Sequence, residues 1–263
     1  MTTVQMWTLG IGLIGAAAWL PHLVTLTIKI LRKPKLTATP ARSCEIGFTE
    51  LGPIFNIKTA LTAEHESILI DKVEFRILHE SGDVHQFRWH EISEVKGQMI
   101  VPGVQNQPIH QESEAIAVKI LPTDFKDLLF RNRLESHTQG YKKYEYAFNR
   151  ERRRLINAEQ FRSSAFYGSS YVQDMQAFLQ SQMIWKKGQY RVEMTVHNRN
   201  KAIAELPKLT FQLSDEDIVL LQANCNNMPK LLRNMCLTKQ EVEEHFVPLE
   251  WHWLSKDVSS VEA

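Results

Sequence analysis

The sequence predicts a mainly β protein with an α-helical insertion: one N-terminal transmembrane helix, then a seven-strand β-sandwich interrupted after its fifth strand. Three observations lead there. Residues 6 to 28 carry no formal charge, and a helix of that length reaches about 34 Å, enough for a bilayer core. From 44 to 121, apolar and polar residues alternate in short runs broken by Gly, Pro and Asp, as in half-buried strands. Between 122 and 185 the period lengthens to that of helices, and alternation returns over 186 to 213.

The first stretch, 1 to 31, is expected to anchor the chain. Lys29, Arg32, Lys33 and Lys35 follow the apolar run and nothing charged precedes it except the terminal amine. Basic flanks stay on the cytoplasmic side, so the expectation is a single-pass membrane protein with its C-terminal body in the cytoplasm. Gly10, Gly12 and Gly15 spell G-x-G-x-x-G, but an apolar helix surrounds them and no acid stands about twenty residues on, so no nucleotide loop is read. Gly12, Gly15 and Ala16 are instead candidates for helix self-association, because small residues let two membrane helices approach closely. Pro34 and Pro40 mark 32 to 43 as a linker.

Strands are expected at 45–49, 54–61, 67–78, 84–92 and 114–121. Glu80-Ser81-Gly82-Asp83 turns the third into the fourth as a hairpin. Gly188-Gln-Tyr-Arg-Val-Glu-Met-Thr-Val-His197 and Pro207–Leu213 close the set. The Gly-x-Tyr-x-Val-x-Met-x-Val pattern resembles the late strand of immunoglobulin-type sandwiches, in which a tyrosine near the strand start anchors a corner. The resemblance covers the pattern over 44–121 and 186–213, implies an immunoglobulin-like β-sandwich, lacks the Cys…Trp…Cys signature, and carries no function.

Helical periodicity is read over Asp124–Leu134, with Thr123 as N-cap, then over 142–161 and 172–184. The final part, 214 to 263, holds two helices and a tail. Ser214 to Asp217 form a capping box before 218–223, and Thr238 to Glu241 open the second helix. Leu249–Leu254 reads as a short edge strand and the tail from Lys256 as frayed.

Charge is balanced overall, formally +1 across 263 residues, which excludes a broadly basic nucleic-acid binder. It is uneven locally: 122–170 counts to +4 and 241–263 to −5. Within Tyr141–Arg154, Lys142, Lys143, Arg150, Arg152, Arg153 and Arg154 interleave with aromatics, a candidate contact for anionic lipid or single-stranded nucleic acid. Trp251 and Trp253 are expected to share a strand face as a partner patch.

Catalytic signatures are not read. His79, His85 and His90 surround one hairpin without metal-ligand spacing, and His245 and His252 form a second loose group. Cys44, Cys225 and Cys236 have no C-x-x-C spacing, and Cys236 reads as a buried thiol rather than a nucleophile. No cofactor, metal or catalytic residue is assigned. The expected function is a non-catalytic, membrane-anchored module that recruits a protein partner, in contact with membrane lipid and self-associating through its helix. The alternatives are a tethered nucleic-acid or nucleotide responder acting through 141–154, and a hydrolase with an unrecognised site.

Overall fold

Along Lys72–His79 the residues Val73, Phe75, Ile77 and His79 are buried while Arg76 is exposed, as strand geometry requires when one face meets a core. The computed structural model describes residues 18–25, 27, 34–99, 107–114, 116–122, 124–199, 201–205 and 208–260. After helical residues 18–25, eight strands follow among the described residues: β1 (Lys35–Thr49), β2 (Gly52–Glu64), β3 (Ile68–Ile70), β4 (Lys72–His79), β5 (Val84–Met99), β6 (Gln107–Glu114), β7 (Val118–Ile120) and β8 (Phe125–Leu134). Helices α1 (Glu135–Asn157), α2 (Ser163–Tyr167) and α3 (Ser170–Ser181) follow, then β9 (Gly188–Asn198), β10 (Lys201–Glu205) and β11 (Leu209–Leu213). The chain continues through α4 (Asp215–Cys225), α5 (Met228–Cys236) and α6 (Lys239–His245) to β12 (Leu254–Asp257) and β13 (Ser259–Ser260).

The expected two-sheet sandwich is not formed. One antiparallel sheet runs β12-β1-β2-β8-β5-β4-β9-β11-β13, with β10 on β9 and β6 on β5. Its two ends are neighbours in sequence: Ser43 to Ile46 pair with Asp257 to Leu254, and Leu209 and Thr210 pair with Ser260 and Ser259. Between them Val258 N–H donates to the Arg42 carbonyl at 2.8 Å. Residues 254–260 therefore join β1 to β11 and nearly close a barrel, where the sequence suggested a frayed tail. Alternation demands one buried face and is equally met by two facing sheets or by one sheet curled on itself.

Two further readings change. Residues 35–43, expected as linker, are the first part of β1, with Pro40 just before the register shift between Pro40 and Cys44, a place where proline is tolerated. Residues 125–134, expected as helix, are β8, set between β2 and β5. Leu128, Phe130, Asn132 and Leu134 are buried in alternation, and the polar Asn132 hides the period.

The single-pass membrane placement is also overturned: among the described residues no helix is long and apolar enough to cross a membrane. Most of the expected span, including Gly12, Gly15 and Ala16, lies outside the described residues.

Aromatic rings fill the space the sheet encloses. Phe55 lies within 5.7 Å of Phe75, 6.4 Å of Phe87 and 6.0 Å of Phe211, and Tyr190 stacks on Phe211 at 4.9 Å. Tyr190 does fasten a corner, its hydroxyl donating to the Lys186 carbonyl at 2.9 Å and accepting from Lys186 N–H at 2.7 Å. The helices form a second layer with its own aromatic seam: Tyr144 on α1 stacks on Phe178 of α3 at 4.7 Å, and Phe148 meets Phe166 of α2 at 5.1 Å.

Candidate functional site

Antiparallel register places one polar row across the outer face of the sheet. Ser255, Glu45, Asn56, Arg131 and Glu91 stand on five consecutive strands, β12, β1, β2, β8 and β5, as successive pairing partners. Strands lie about 4.8 Å apart, so the side chains of such a row come within reach of one another. Asn56 Nδ2 donates to Glu45 Oε2 at 3.2 Å, and Arg131 Nη1 reaches Glu91 Oε2 at 3.4 Å. Arg133, two residues along β8, donates through Nη2 to Glu91 Oε1 at 2.8 Å. The register shift between Trp89 and Glu91 brings both arginines to the same carboxylate. Asn56 is 5% exposed, and its Oδ1 is buried without a hydrogen-bond partner.

This row floors a groove of about 590 Å³ whose other wall is the segment Trp251–Ser255. Trp253 rests on Gly47, where a Cβ would lie 2.6 Å from its ring; it keeps 48% of its surface exposed. Trp251 is half-buried against the core. Neither lies in a strand as the sequence suggested, since β12 begins at Leu254. A second cleft of about 790 Å³, between β5 and the first turns of α1, shares Glu91 and Arg133 with the groove.

Three asparagines hold the Trp segment in place. Asn224 donates to the His252 carbonyl and accepts from its N–H, both at 2.8 Å. Asn234 does the same for Val247 at 2.7 and 3.0 Å, and Asn227 Nδ2 donates to the Glu250 carbonyl at 2.7 Å. An extended segment running outside any sheet ladder thus has backbone groups satisfied by side chains of α4, of α5 and of Asn227, the N-cap of α5. Capping boxes start α4 at Ser214 with Asp217 and α6 at Thr238 with Glu241, both legible in sequence. Glu241 also accepts from the Ser163 hydroxyl, which with the Thr238 bonds pushes its carboxyl down to about 2.

The basic helix divides. Lys142, Lys143, Arg150, Arg153 and Arg154 are exposed on α1, but Arg152 is half-buried, donating to the Leu237 carbonyl at 3.2 Å and covering Phe161 at 5.3 Å. Arg154 is engaged twice by Glu151, at 2.7 and 2.8 Å. Lys142, Tyr146, Arg150 and Arg153 remain as one stripe at i, i+4, i+8 and i+11. Tyr146 is 67% exposed with the Arg150 guanidinium 5.8 Å from its ring centre.

The thiols are buried. Burial pushes Cys44 up to about 12 and Cys236 up to about 11, and raises Cys225. Thiolates are the reactive form, so none is poised as a nucleophile. Burial lowers His85 and His90, the latter also through Arg133. His137, which the sequence did not single out, is 2% exposed, stacked 5.6 Å from Tyr141 and 5.4 Å from Phe178, with one ring nitrogen 3.2 Å from the Glu50 carbonyl. Among the described residues no group of three or more His, Cys, Asp or Glu is placed to hold a metal ion.

The sequence singled out Trp251 and Trp253 but gave no sign of the polar row, whose members come from strands far apart in the chain. Comparison with known protein families, with curated proteins and with solved structures finds no match to this chain.

Proposed function

We propose that the chain is a non-catalytic recruitment module that holds a partner in the groove between Trp253 and the polar row. The observation behind this reading is the half-exposed Trp253 ring seated on Gly47, beside an Asn56 oxygen that is buried and unsatisfied. Large exposed aromatics bordered by polar groups favour binding. The raised thiols speak only against a cysteine nucleophile. A photocrosslinking residue at position 253 tests it in intact cells. A discrete adduct that disappears when Glu45→Lys or Asn56→Leu is added is the expected result; adducts indifferent to both changes would overturn the reading.

A second reading, single-stranded nucleic acid along α1, is favoured by the exposed Lys142-Tyr146-Arg150-Arg153 stripe, which fronts a concave surface of about 810 Å³. Arginine and an accessible aromatic ring together suit phosphate contact and base stacking. Retention of labelled oligonucleotide that weakens steeply with salt and is lost in Arg150→Glu would support it. Salt-independent or absent retention would remove it.

A further inference from the structure

Large exposed apolar side chains gather at one end of the sheet. Ile68, Ile70 and Ile120 of the β3–β7 pair turn to the core, so Leu69 and Leu121 stand exposed on the outer side. Ile116 leads into β7 at 76% exposed and Phe125 opens β8 at 70%, with the turn between them closed by Asp124 N–H on the Leu121 carbonyl at 3.0 Å. Thr37, Thr62 and Phe125 are successive pairing partners on β1, β2 and β8. The chain therefore enters the sheet at this same end, at Lys35. Helical residues 18–25 precede that entry, and Trp19, Leu20, Leu23 and Val24 among them are exposed. Indeed all eight of these residues are exposed, so this helix does not cover the apolar end of the sheet. Two uncovered apolar surfaces, joined by one short stretch of chain, suit a medium that wets both at once; a protein groove shaped for one leaves the other in water. Trp beside Leu and Val within the uncharged run 6 to 28 is a composition found at the lipid–water interface. Lys29, Arg32 and Lys33 fall between that run and β1, where basic side chains meet anionic headgroups. The rest of the molecule is turned away: β8 runs about 30 Å from Phe125 to Leu134, where α1 begins, and the Trp253 groove reaches Ile54 and Arg133 near that far end.

We propose that the Phe125 end of the sheet rests on an anionic lipid surface, with Ile116, Leu121 and Phe125 dipping below the headgroups together with residues 18–25. The contact is made along one leaflet and asks no helix to cross it. It goes beyond the recruitment reading and does not rest on it: recruitment is judged by the adduct at position 253, this contact by position 125.

The full chain is mixed with vesicles of phosphatidylcholine and phosphatidylglycerol, with and without a nitroxide on the acyl chains. A polarity-sensitive dye is attached through Phe125→Cys in one sample and through Phe246→Cys, at an exposed ring just after α6, in another; the native thiols are buried. A blue shift and nitroxide quenching are expected at 125 and neither at 246. The same dye on Leu121→Cys should respond as at 125, and adding Ile116→Glu with Phe125→Glu should abolish that response with the thermal midpoint retained, since both positions are exposed. Absence of vesicle binding would overturn the proposal, as would binding with the dye at 125 still in water, which leaves the N-terminal segment alone holding the chain. Quenching at 246 as strong as at 125, or a response at 121 indifferent to the two glutamates, would count against it equally. A blue shift at 125 before vesicles are added would refute it by showing the patch already covered, by a second copy if dilution reverses the shift and by the chain's own N-terminal segment if it does not.

Discussion

The Trp253 ring lies directly on Gly47, whose carbonyl accepts from Trp185 Nε1 at 3.0 Å on its way into the core. One glycine thus joins the exposed groove wall to the buried aromatic cluster. Gly47→Ala places a methyl against the Trp253 ring, which must tilt outward because Trp185 and the β1 ladder are fixed. The expected result is a red shift in tryptophan emission, absent in a Trp253→Phe background, and destabilisation of about 1–3 kcal/mol as for other overpacked sites. Denaturant melts of the pair of variants check both.

Asn224 is wholly buried and satisfies both backbone groups of His252. Asn224→Ala strands a donor and an acceptor together, so a loss of about 2–4 kcal/mol is expected from two unmade bonds. Hydrogen exchange should accelerate first across 247–253 rather than through the sheet. Uniform acceleration would mean that the asparagine braces the whole fold and not this segment.

Acid stability follows from His137. Burial depresses its pKa to about 4 from a usual 6.5, opposed by the Glu50 carbonyl bond and aided by Arg133. The unfolded chain therefore binds the proton first as pH drops below about 6.5, and stability declines through that window until pH about 4, where the native ring also protonates. The whole difference amounts to about 3 kcal/mol. His137→Gln should flatten the unfolding free energy between those limits while shifting its value at neutral pH.

Phe55 touches three other rings in the sheet interior. Phe55→Ala should cost about 3–5 kcal/mol through lost burial and an unfilled cavity. Equilibrium urea melts with unchanged slope would confirm that the loss is one of packing in the native state.

Strand alternation made β4, β9 and β11 readable, and the Ser214–Asp217 and Thr238–Glu241 boxes marked two helix starts correctly, because these signals are local. What escaped was set by partners distant in sequence. Asn132 breaks the alternation of β8 because its Nδ2 donates to the Phe55 and Phe130 carbonyls, at 2.8 and 3.1 Å, a use that exists only once β2 lies alongside. The row Glu45-Asn56-Arg131-Glu91 likewise exists only through register. The resemblance at Tyr190 located a real corner bond yet implied the wrong frame, since a tyrosine can pin any tight return into a strand. The Trp pair was visible as composition, but the asparagine clamp that orients it has no periodic signature.

Residues 254–260 are translated after every other stave of the sheet. Until they emerge from the ribosome, β1 and β11 each present an unpaired ladder, and such raw edges invite pairing with other chains. Closure of the native sheet thereby waits for its last two strands: a chain interrupted before residue 254 has nearly all of the core-forming residues and both seams open.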